Sequence, residues 1–145
     1  MKIENSTAPA RWMVVDDDDE LRETIAKLVA ALAGVEVVSF PSGAAALNAF
    51  AAAPDTFGFI LSDLDMPGMS GIEFCRRVHS VRPSLGILLA TGSGVITIEE
   101  ARAYGFCGLI AKPFSVAALR QVLAVAAPKD QQTKQAGFAP VCLAA

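Results

Sequence analysis

The chain has 145 residues, enough for one ordinary domain with a real core. Hydrophobic residues make up 53% and charged residues 19%, which excludes a disordered chain. A net charge of −3 without a basic stripe argues against direct nucleic-acid binding, and no stretch approaches the roughly 18 uninterrupted apolar residues of a membrane span.

Residues 1–10 (MKIENSTAPA) read as a flexible leader with no apolar core of signal-peptide length. Arg11 to Val15 forms a short apolar strand that stops at Asp16-Asp17-Asp18-Asp19. From Glu20 to Ala33, Leu21, Ile25, Leu28, Val29 and Leu32 recur at helical spacing, and Gly34 stands where a helix stops. Val35 to Phe40 is a second strand, and Ser42 caps a helix to about Ala52. Phe57 to Ser62 is a third strand, ending at Asp63. Met66-Pro67-Gly68-Met69-Ser70-Gly71 is turn chemistry. Ile72 to Val81 is helical and is closed by Pro83. Gly86 to Ala90 is a fourth strand, ending at Thr91. After the Gly92-Ser93-Gly94 loop, Ile96 to Tyr104 is a weaker helix stopped by Gly105. Leu109 to Ala111 is a fifth strand, ending at Lys112, and Ser115 caps a helix to about Ala127.

This alternation predicts an α/β domain over residues 11–127, with a parallel sheet buried between helices on both faces. Residues 128–145, with Phe138, Val141 and Leu143 near the end, are expected to be a disordered tail. Cys75, Cys107 and Cys142 make no CxxC pair and no ligand cluster with His79, the single histidine. They read as reduced, buried thiols of a cytoplasmic protein. His79 itself reads as a surface residue on the third helix.

In an open parallel sheet, ligands sit outside the carboxyl ends of the strands. Those ends carry Asp16 and Asp17, Asp63, Thr91 and Lys112. Singly, each has a bland explanation: a helix N-terminus, a turn residue, a strand-end cap, a surface lysine. Together they make a site. Clustered carboxylates repel one another, and a hard divalent cation such as magnesium relieves that repulsion. A carboxylate nucleophile, a cation, a hydroxyl donor and a metal are the parts that phosphoryl transfer needs. The GSGVITIEE loop lacks the Gly-Lys-Ser/Thr ending of a P-loop.

The segments VVDDDDELR, FILSDLDMPGMSG, LLATG and AKPFS, in this order, closely resemble the receiver domain of two-component response regulators. The resemblance covers roughly residues 11 to 126. It implies a doubly wound (βα)5, flavodoxin-like fold with strand order 2-1-3-4-5. It implies that Asp63 is the phospho-acceptor. Asp16, Asp17 and Asp63 would hold Mg2+ (or Mn2+), together with the backbone carbonyl of Asp65. Thr91 matches the switch hydroxyl and Lys112 the lysine that pairs with the phosphoryl group, and Pro113 is expected to follow a cis peptide bond. The implied partners are a histidine kinase or histidine phosphotransfer protein and an unknown protein effector, with no nucleic acid and no membrane. The implied chemistry is a slow self-catalysed gain and loss of phosphate, not that of a metabolic enzyme.

Two positions depart from the family pattern. Leu109 stands where an aromatic switch residue is usual, so the signal is expected to leave through the Gly92-Ser93-Gly94 loop and the following helix. Ser70 stands where aspartate is usual, with little expected consequence. Two other readings compete. A haloacid-dehalogenase-like phosphatase would also use the Asp63-Leu64-Asp65 pair, but it needs a nearby hydroxylated residue and a cap insertion, and Met66-Pro67-Gly68 follows instead. A phosphorylation-independent interaction module would not need the full set of strand-end residues that this chain carries.

Overall fold

A computed structural model describes residues 10–92 and 94–128. The leader up to residue 9, Ser93, and the expected tail from residue 129, including Cys142 and the Phe138–Leu143 stretch, lie outside the described residues.

Among the described residues, strands and helices alternate as β1 (Arg11–Val15), α1 (Asp19–Ala33), β2 (Val37–Phe40), α2 (Gly43–Ala52), β3 (Phe57–Asp63), α3 (Gly71–Val81), β4 (Ile87–Gly92), α4 (Ile98–Ala103), β5 (Gly108–Lys112) and α5 (Val116–Ala126). All strand pairs are parallel, in the order β2-β1-β3-β4-β5. This is the doubly wound arrangement that the alternation and the resemblance predict. The chain crosses from β1 outward to β2 and then back past β1 to β3, so the strand order reverses between β1 and β3. The carboxyl ends of those two strands therefore flank a crevice.

The two faces of the sheet bury separate cores. Met13, Val15, Phe57, Ile60, Ile87 and Leu89 pack under α2 and α3 with Phe50, Phe74 and Val78. Trp12, Val14, Phe59, Leu61, Leu88 and Ile110 pack under α1 and α5 with Ile25, Val29, Leu119 and Leu123. The central strands are buried on both faces, whereas edge strand β2 is half-buried throughout. Trp12 packs against Phe59 with ring centroids 4.9 Å apart, and its buried indole N–H has no hydrogen-bond partner among the described residues.

The helix starts are set by side-chain caps. Ser42, Ser70 and Ser115 accept from the N–H three residues on, as does Asp18 at α1. Ser70 thus fills a structural place at the head of α3. The α4 helix begins at Ile98 rather than Ile96, because Thr97 and Glu100 form a reciprocal capping box. A 3-10 turn at Pro54–Thr56, unread in the sequence, leads into β3. No described helix is long and apolar enough to cross a membrane.

His79 corrects its sequence reading. It is half-buried, with Nδ1 3.7 Å from the Cys75 sulfur and Nε2 2.8 Å from the Leu85 carbonyl. It tethers α3 to the segment entering β4 and does not lie free on the surface. Cys75 is buried and Cys107 half-buried, and among the described residues neither forms a disulfide. Burial pushes both thiols up to about 11. At pH 8 only about one part in a thousand would be thiolate, the form that reacts. Peptide-resolved alkylation should therefore label Cys75 and Cys107 far more slowly at that pH in the native chain than in urea. Equal rates in the two conditions would contradict this environment.

Candidate functional site

The carboxyl edge of the sheet gathers the strand-end residues. The run of four aspartates resolves into four different local roles. Asp16 directly follows β1 with a buried side chain, 3% exposed. Its Oδ1 accepts from the Asp18 N–H at 2.9 Å and its Oδ2 from Lys112 Nζ at 2.8 Å. Asp17 is exposed and faces the cluster. Asp18 caps α1 through the Leu21 N–H at 3.0 Å. Asp19 pairs with Arg22 at 2.8 Å in the first turn of the helix. Carboxylates are favoured at the positive end of a helix, which accounts for the last two without any ligand.

Asp63 ends β3 and is 8% exposed. Its Oδ1 accepts from the Leu64 N–H at 2.8 Å and lies 3.2 Å from Lys112 Nζ. Its backbone carbonyl accepts from the Ser62 hydroxyl at 2.9 Å. In the β3–β4 register Asp63 stands opposite Ala90, so Thr91, buried at 3%, is the next residue at this edge. Lys112 ends β5 and reaches across to Asp63 and, over a sequence separation of 96, to Asp16. The bond from Lys112 to Pro113 is cis. Asp65 lies exposed on the loop just after β3, and Leu109 sits half-buried on β5 against the α2–α3 core.

One carboxylate oxygen from each of Asp16, Asp17 and Asp63 lies within 4.8 Å of the others, the candidate metal-binding group found among the described residues. Three carboxylates against one ammonium leave two negative charges in excess. All donors are hard oxygens at one solvent-facing edge. This set fits a small divalent cation that keeps some of its waters.

The charges on the two central residues are perturbed in consistent directions. Burial holds the Asp63 carboxyl above its ordinary range, helped by Asp16 and opposed by Lys112 and the Leu64 N–H. Burial would lower the Lys112 ammonium, but the carboxylates of Asp16 and Asp63 outweigh it and hold it above the usual lysine range. A carboxyl whose folded value is raised contributes stability below its unfolded value and loses it as pH rises through the folded one. At neutral pH, ionised Asp63 therefore costs the metal-free fold stability. Asp63→Asn should raise the melting temperature in chelator at pH 7, and the gain should shrink as pH falls toward 4, the ordinary carboxyl range. A lower melting temperature at pH 7 would contradict the raised value.

Two contributors were missed in the sequence. Gly71 is pressed against the end of β3: a Cβ there would lie 2.2 Å from the Asp63 carbonyl oxygen, and its N–H donates to the Leu64 carbonyl at 2.8 Å. Arg22 bonds the Asp16 carbonyl at 2.9 Å. The glycine after a Pro-Gly turn gave a faint signal, but the arginine gave none, because its acceptor is backbone.

Residues 12–124 match the response regulator receiver domain family. The chain is 38% identical over 117 residues to the C4-dicarboxylate transport transcriptional regulatory protein DctD of Rhizobium meliloti, covering 80% of this chain and 25% of that protein. It is 33% identical over 123 residues to the transcriptional regulatory protein FixJ of Azorhizobium caulinodans, covering 84% and 56%. The chain thus spans a quarter to about half of the length of these curated relatives. Among solved structures, the chemotaxis protein CheY4 of Vibrio cholerae aligns with a TM-score of 0.71 and 31% identity, over 82% of this chain and 99% of that one. The strand order, the acidic edge and these likenesses agree: the chain belongs to the response regulator receiver domain family of two-component systems.

Proposed function

We propose that this domain takes a phosphoryl group from a phosphohistidine of a histidine kinase or phosphotransfer protein onto Asp63, and changes conformation to control a partner protein. The observation that carries this reading is the meeting of Asp16, Asp17, Asp63 and Lys112 at one edge, from three separate strand ends. A carboxylate oxygen of Asp63 attacks phosphorus, the P–N bond breaks, and the imidazole leaves with its electron pair and takes up a proton. The product is an acyl phosphate, which water later hydrolyses. Lys112 balances the charge on the phosphoryl oxygens, and the Thr91 hydroxyl donates to one of them.

Asp16, Asp17 and Asp63, with the Asp65 backbone carbonyl, would hold Mg2+ or Mn2+. When bound, such a cation supplies charge neutralisation for the incoming phosphoryl oxygens. An apolar groove of about 320 Å³ between α1 and Lys112–Phe114, lined by Leu21, Ile25 and Leu28, opens beside the cluster and suits docking of a donor helix. The residues are those of a slow self-catalyst that holds its own product, acting in the cytoplasm.

Mass spectrometry after incubation with acetyl phosphate tests this directly. Wild type should gain one phosphoryl group in Mg2+, and none in chelator or in Asp63→Asn. A wild-type chain without a metal-dependent adduct would overturn the reading.

A further inference from the structure

We infer that Arg22 is a positioning residue for the cation site, holding the loop between β1 and α1 in the form that aims Asp16 and Asp17 at Asp63. The inference rests on the reading of those three aspartates as metal-holding. An arginine is an odd neighbour for a site that gathers cations, since its charge repels them. Yet the Arg22 side chain is only 13% exposed and is committed on both prongs. Nη1 donates to the Asp16 carbonyl at 2.9 Å, and Nη2 pairs with Asp19 at 2.8 Å on the outer side of the helix. Neither prong touches a carboxylate of the cluster among the described contacts.

The target of Nη1 explains the arrangement. The Asp16 carbonyl belongs to the planar peptide unit that joins Asp16 to Asp17. Fixing that oxygen fixes the direction in which Asp17 leaves the strand. The Asp16 N–H is held from the other side by the Phe40 carbonyl at 3.1 Å, and its carboxylate by the Asp18 N–H and Lys112. With Arg22 in place, both peptide units flanking Asp16 are tied. Without it, the one leading to Asp17 is free to turn. A rigid fork can grip a backbone carbonyl and an outer carboxylate together, which a lysine ammonium on a flexible stem does less well. Partners that orient metal ligands in this way typically change affinity by about 10–100-fold when removed.

Charge and positioning make opposite predictions, so the test turns on a sign. Mn2+ is titrated into the full chain and free Mn2+ is read by electron paramagnetic resonance, a readout independent of phosphoryl transfer. If Arg22 acted only through its charge, Arg22→Gln would bind Mn2+ more tightly and Arg22→Lys unchanged. The positioning role expects both to bind about tenfold more weakly, and Asp19→Asn, which removes only the outer pair, to stay within about threefold. Melting in chelator shows that the variants are folded, and Arg22→Lys keeps the charge should Arg22→Gln fail to fold. Wild type without saturable binding, or Asp17→Asn binding as wild type, would overturn the site reading and this inference with it. Saturable wild-type binding with both Arg22 variants unchanged or tighter would overturn the inference alone.

Discussion

Lys112→Ala is expected to slow phosphoryl uptake on Asp63 by about two to three orders of magnitude, the usual cost of losing one preorganised charge partner at a reacting oxygen. The ammonium stands 2.8 Å from Asp16 and 3.2 Å from Asp63, so it already occupies the place where new negative charge would collect. The same substitution should lower stability. It leaves Asp16 buried without its counter-ion, and breaking a buried pair from one side costs on the order of 3 kcal/mol. The raised Lys112 value fixes the pH window: the stabilisation is complete below the ordinary lysine range and fades only as pH climbs through the higher folded value. At neutral pH the whole penalty should therefore be visible in urea melts. Added Mg2+ should narrow the gap to wild type, because a cation bound to the folded state stabilises it by mass action and can take over part of the counter-charge. Uptake from acetyl phosphate at the wild-type rate would remove Lys112 from the chemistry.

The second large effect belongs to a residue with no side chain. Gly71→Ala should cost about 3 kcal/mol or more, beyond ordinary overpacking, because the added carbon would meet backbone that cannot rotate away. Its contacts would be the Asp63 carbonyl oxygen at 2.2 Å, the Asp63 carbonyl carbon at 3.2 Å and the Leu64 Cα at 3.1 Å. Relief requires α3 to back away from β3 or the end of β3 to shift, so phosphoryl uptake should fall along with stability. Gly68→Ala is the matched control. It needs a left-handed backbone, with φ of 87°, but a Cβ there meets nothing within 4 Å. It should cost only about 1–2 kcal/mol and leave uptake near wild type. Equal effects from the two substitutions would show that α3 does not brace the end of β3.

These residues mark what could be read from the chain alone. The apolar runs were plain because the central strands are buried on both faces and must be continuous. Four of the five runs stop at a polar residue, and those stops named Asp16, Asp63, Thr91 and Lys112. Boundaries were less legible where a cap competed with periodicity: Ile96 continued the apolar pattern, but Thr97 and Glu100 closed a capping box that moved the start of α4. His79 was misread because the partners that hold it are a neighbouring sulfur and a distant carbonyl. Arg22 was invisible, and Gly71 only faintly marked, for a related reason, since both act on main-chain oxygens, and every residue has one.

The reach of Lys112 back to Asp16 has a consequence for how the chain is made. The acids leave the ribosome early, and their counter-charge arrives 96 positions later. Until β5 takes its place at the edge of the sheet, the nascent chain carries the aspartates without the ammonium that opposes them. An unfinished or clipped chain ending before Lys112 thus keeps both acids without the ammonium that sits between them in the finished sheet.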